Sequence, residues 1–87
     1  MEKAFLDILL DERVAVKDVN KIQFDIEYQQ EYRDHMIANF PDCSAKTRDI
    51  ERINDELVQL AGRKLKYEAA LVSIRRELAL YIERLND

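Results

Sequence analysis

The chain has almost none of the residues that punctuate a fold. One glycine and one proline among 87 residues leave a single place for a sharp turn and exclude a glycine-rich phosphate loop, which needs several glycines to bring backbone amides close to the anion. Tryptophan is absent and Cys43 is the only cysteine. That excludes an internal disulfide framework and leads us to expect a cytoplasmic protein, of a cell or of an infected host, kept in a reducing environment. His35 is the single histidine, and no second histidine or cysteine stands at ligand spacing, so neither a metal site nor a cofactor is expected. Long hydrophobic runs are missing as well. The opening residues Met1 to Asp7 lack a basic region, and Asp7 and Asp11 interrupt the apolar stretch. Neither a signal peptide nor a membrane span fits that pattern. The net charge of -4 gives no reason of its own to expect affinity for nucleic acid or membrane.

What is present is helical periodicity. Ile50, Ile53, Leu57, Leu60, Lys64, Tyr67, Leu71, Ile74, Leu78, Tyr81 and Leu85 follow one another in steps of three and four, and all but Lys64 are apolar or aromatic. This is a heptad seam with Ile50 at position a and Ile53 at position d, held for five repeats; a strand would alternate strictly. The apolar arc is wider than a two-stranded coil needs, because position b carries Val58, Leu65, Val72 and Ala79 and position e adds Ala61 and Ile82. An arc of that width suits a helix with two or more neighbours. The opposite side, with Arg52, Asp55, Gln59, Gly62, Lys66, Ser73, Arg76 and Glu83, reads as solvated. Lys64 inside the seam either fixes register and oligomer state or lays its aliphatic stem along the seam and sends its amine to water.

The first half of the chain supports two readings in its middle. Phe5, Ile8, Glu12, Ala15, Val19, Ile22, Ile26, Gln29, Arg33, Met36 and Phe40 also step by three and four. Against this, Val14, Val16, Ile22, Phe24, Ile26 and Tyr28 alternate with polar residues around Lys17-Asp18-Val19-Asn20, which has turn chemistry and suggests a small β-hairpin. Good helix formers from Glu27 to Asn39, with no glycine or proline before Pro41, favour helix. We expect a break near 14–20, where Asn20 and Gln23 resemble a capping box. Asn39-Phe-Pro-Asp-Cys-Ser is the one convincing turn, with Asp42 or Ser44 as the cap of the next helix.

These elements assemble into an all-α, elongated antiparallel helical hairpin. The expectation is an N-terminal arm over about 2–40, a turn at about 40–45 and a C-terminal helix over about 45–86, forming a single helical domain over 1–87 with coiled-coil-like packing. A third short helix at the free end would follow from the break. A chain this short hides only about 60 to 65% of its unfolded surface. Its apolar residues exceed what two facing helices can cover, so oligomerisation or docking on a larger protein is expected to complete it.

Charge is unevenly divided. Residues 1–42 hold five Lys/Arg against ten Asp/Glu, and residues 43–87 hold nine against eight, so the halves should attract each other. Arg63, Lys64, Lys66, Arg75 and Arg76 against the single acid Glu68, with Tyr67 among them, contain the ingredients of a single-strand nucleic-acid surface. Arg63, Lys66, Arg75 and Arg76 are the residues that would carry it. Tyr67, however, falls in the seam, and a solvated face opposite the acidic half explains the charges as well. Tyr28 and Tyr32, with Phe24 one step earlier, form an aromatic stripe. Packing is the ordinary explanation of such a stripe, and a partner contact is the sharper one. Glu31 and His35 have the wrong spacing for a ferritin-like ligand pair, and no base stands beside Cys43 for nucleophilic work. A non-enzymatic interaction protein is therefore expected, with a nucleic-acid accessory protein as the alternative.

Two short stretches, Asp18-Val-Asn-Lys-Ile-Gln-Phe-Asp and Lys64-Leu-Lys-Tyr, look similar to the pattern of phage recombination mediator proteins. Those are small oligomeric helical proteins that help load a recombinase on single-stranded DNA, so the resemblance implies a helical oligomer with a nucleic-acid role. The Pro41 turn and the short C-terminus depart from that pattern, and the chain is not assigned to the family.

Overall fold

The computed structural model describes residues 4–86. Two helices account for nearly all of them: α1, Phe5–Asn39, and α2, Ser44–Asn86. They pack antiparallel into a rod of 66 × 18 × 15 Å, the length expected of a forty-residue helix at about 1.5 Å per residue. Residues 2 and 3, placed at the start of the first arm by the sequence, lie outside the described residues.

The register is set by facing seams. Phe5 stacks on Tyr81 with ring centroids 5.1 Å apart, Arg75 Nε lies 3.8 Å from Glu12 Oε2, and Arg33 Nη1 donates to Asn54 Oδ1 at 3.0 Å. These pairs tie the open end, the upper third and the turn-proximal third of the rod to one alignment. In α1 the buried residues are Ile8, Ala15, Ile22 and Met36, all members of the three-four series. In α2, Ile53, Leu60 and Leu78 are buried, with Ile50, Leu57, Leu71, Ile74 and Tyr81 half-buried beside them.

The expected break at 14–20 does not occur, and α1 runs unbroken through it. Ala15, Val19 and Ile22 keep the seam going across Lys17-Asp18-Val19-Asn20. A kink there would turn Ile22 and the residues after it away from α2, so packing overrides the local turn chemistry. Neither the β-hairpin nor a third helix is present among the described residues.

The turn is built from the residue types that end helices. Phe40, which precedes Pro41, is extended at φ -109°, ψ 143°, as the proline ring requires of its neighbour. Asn39 Nδ2 donates to the His35 carbonyl at 3.0 Å. Cys43, rather than Asp42 or Ser44, occupies the position before α2. Its Sγ accepts the Lys46 amide at 3.5 Å and its carbonyl accepts the Thr47 amide at 3.1 Å. The thiol stands where serine or aspartate is the usual cap.

Lys46 closes the turn. Its ammonium donates to the Ile37 carbonyl at 3.2 Å, the Phe40 carbonyl at 2.7 Å and Asp42 Oδ1 at 3.0 Å, and the residue is only 9% exposed. The last turn of α1 has no basic residue of its own. A cation from α2 therefore meets the partial negative charge of that helix end. Replacing Lys46 by methionine keeps the stem and removes the charge. This should lower unfolding free energy by about 1–3 kcal/mol in urea titrations, and an unchanged midpoint would show that the contact carries no stability. A Cβ added at Gly62 meets nothing within 4 Å, so Gly62→Ala should raise stability by about 1 kcal/mol through helix propensity alone.

Candidate interaction surfaces

Lettering Phe5 as position a, α1 and α2 present matching a and d rows to each other. In an antiparallel pair the e rows of both helices then flank the seam on one broad face and the g rows on the other. The contacts follow this division. Glu12 with Arg75, Arg33 with Asn54, and Lys64 with Glu68 at 3.6 Å all join a to e. Gln23 donates to Glu27 at 3.0 Å on that same face. Across the rod, the g residues Asp18, Asp25 and Arg63 line a cleft of about 160 Å³ with Lys21, Ile22 and Tyr67.

The two faces differ in chemistry. The g face carries Asp7, Asp11, Asp18 and Asp25 from α1 opposite Arg63, Lys66, Glu77 and Arg84 from α2. The e face carries the b and e rows of α2: Val58, Ala61, Leu65, Glu68, Val72, Arg75, Ala79 and Ile82. None of its apolar members is covered by α1. Val58 is 73% exposed and Leu65 68%, with Val72 and Ile82 also open. Leu9 and Ile37 extend the apolar surface onto α1.

A second apolar surface runs along the outer side of α1. Phe24 is 67% exposed, and Tyr28 and Tyr32 are exposed below it. Packing within the chain, the ordinary explanation of that stripe, does not apply. Near the turn the surface continues into a hollow of about 290 Å³ lined by Tyr32, Met36, Phe40, Pro41, Cys43 and Lys46, among others.

The remaining sequence candidates fall in known places. Lys64 is half-buried, its stem along the seam and its amine turned to Glu68. Tyr67 keeps its d position at the edge of the cleft, and Leu85 is exposed at the open end. Arg63 and Lys66 lie toward the g face, whereas Arg75 points to Glu12 on the e face and Arg76 lies on the outer edge of α2. The basic residues therefore do not converge on one stripe. His35 is exposed and sits 3.0 Å from Asn39 Nδ2 through Nδ1. Among the described residues no three His, Cys, Asp or Glu side chains gather as a metal site, and no helix is long and apolar enough to cross a membrane. Lys46 is the residue that sequence reasoning missed. Nothing in its local sequence separates it from the other lysines, because its partners come from the preceding helix end.

The chain matches no family model, no curated protein and no solved structure.

Seam and outer surfaces should separate in stability measurements. Leu60→Ala removes a buried side chain and should cost about 2–3 kcal/mol. Tyr28→Ala and Tyr32→Ala should each change stability by no more than about 0.5 kcal/mol at low protein concentration. Equal losses at both kinds of site would contradict the division drawn here.

Proposed function

We propose that this chain is a non-enzymatic helical interaction module, acting in the cytoplasm as an adaptor, inhibitor or assembly factor, and that its working form is completed by self-association. One observation carries the reading: the folded hairpin leaves the b and e rows of α2 and the aromatic stripe of α1 in water, although each is an apolar row at helical spacing. Scattered apolar residues on a surface need no explanation, but contiguous rows mark sites of association. Among the described residues, the hollow at the turn and the cleft between Asp18, Asp25 and Arg63 on the g face both open to solvent, and neither would desolvate a bound substrate. The nucleic-acid reading loses its main support from the dispersal of Arg63, Lys66, Arg75 and Arg76 over three sides of α2.

Sedimentation or light scattering at micromolar concentration should give a mass at least twice that of the 10.3 kDa chain. A rod elutes early from a sizing column whatever its mass, so elution volume alone does not test the point. A thermally stable monomer over the whole concentration range would refute self-association. Single-stranded oligonucleotides should not bind at low salt. Binding that weakens steeply with salt and disappears in Arg63→Glu/Lys66→Glu would replace the proposal with the nucleic-acid alternative.

A further inference from the structure

Resting on the self-association proposed above, we infer that the occupant of the e face is a second copy of this chain, related by a two-fold axis that sets α2 antiparallel to α2 near residues 68–75. Two features of the protomer carry this, the area it leaves open and the order of charges along the open row.

The described structure exposes 7033 Å². A compact monomer of 10.3 kDa exposes roughly 5,400 Å² by the scaling of surface with mass. The excess of roughly 1,600 Å² is about twice the 800 Å² per partner that a standard stable interface covers. That excess comes from the elongation of the rod and is spread over all its sides, so it allows one further copy, and the choice of the e face rests on its apolar rows and its charges.

The b and e rows of α2 step by three and four, as the a and d rows do, and form a second seam that is apolar at its ends and charged at its centre. An antiparallel pairing about an axis near residue 72 sets Ala61 against Ile82 of the partner subunit, Leu65 against the partner's Ala79 and Val72 against the partner's Val72. The small alanines let the two backbones approach. At the centre, Glu68 meets the partner's Arg75, and the symmetry repeats the contact with the roles exchanged. Glu68 and Arg75 are open to such a partner, with side chains 44% and 58% exposed and only loose intrachain pairs at 3.6 and 3.8 Å. A parallel pairing would instead set Glu68 against Glu68 and Arg75 against Arg75, and like charges in an interface oppose the wrong register. The outcome is a four-helix rod whose two charged g faces point outward.

The test uses the full chain and sedimentation equilibrium, with helicity followed in parallel. Leu65→Glu/Val72→Glu should be monomeric while keeping its helical signal, since both side chains are exposed in the protomer. Glu68→Arg alone and Arg75→Glu alone should each weaken the dimer by about tenfold or more, and the double exchange should return most of the affinity. A wild-type dimer that survives Leu65→Glu/Val72→Glu, or a double exchange no tighter than its singles, overturns this interface. If Phe24→Ser/Tyr28→Ser dissolves the assembly while the e-face variants do not, self-association stands and the e face is excluded as its site. A wild-type monomer removes both.

Discussion

A seam between two helices has water on both sides, and that constraint governs the whole molecule. In a globule a core side chain is enclosed on every side. Here even the best-covered residues, Ile8 and Ile22, remain 5% exposed, and no large side chain is completely buried among those described. Each seam position thus yields only part of the burial free energy that the same residue would contribute in a closed core. The hairpin has to draw on length, with both seams running almost the full 66 Å of the rod, and on its ends. At one end Phe5 stacks on Tyr81, and at the other Lys46 binds the closing carbonyls of α1.

The seam is also less apolar than its outline suggests. Glu12, Gln29, Arg33 and Lys64 occupy a or d positions and are half-buried. Glu12, Arg33 and Lys64 each turn to a partner at an e position, namely Arg75, Asn54 and Glu68. Such pairs add little stability when solvent reaches them. They do discriminate between alignments, because sliding one helix by a heptad would set Glu12 beside Glu68 rather than Arg75. The polar members of the seam thus fix the register at some cost in stability.

Legibility in the sequence followed the range of the interaction. The seams of both helices were readable because burial against one neighbour imposes the three-four spacing directly on the chain, and the turn was readable from Pro41. The break expected at 14–20 does not form because Lys17-Asp18-Val19-Asn20 states only a local preference, and a local preference yields when Ala15, Val19 and Ile22 are all held by α2. The sequence favours Asp42 or Ser44 as the cap of α2 because carboxylate and hydroxyl oxygens are the stronger acceptors. Instead, Asp42 is taken up by Lys46, leaving the Cys43 thiol in position. Lys46 itself was invisible, since its role depends on where the preceding helix ends. The exposure of the Phe24, Tyr28 and Tyr32 stripe was equally hidden. Spacing shows that such residues share a side of a helix, but only the orientation of the seam shows which side.

The distribution of charge links the fold to what it can bind. With Asp7, Asp11, Asp18 and Asp25 of α1 and several basic residues of α2 brought to the g face, opposite charges face one another across the cleft at Asp18, Asp25 and Arg63, and that face is well solvated as it stands. The e face keeps Glu68 and Arg75 among mainly apolar rows. A hairpin with one solvated and one apolar broad face is the two-helix counterpart of a single amphipathic helix. As an amphipathic helix is stable only against a partner, the apolar e face is the surface of this hairpin that the proposed second copy covers.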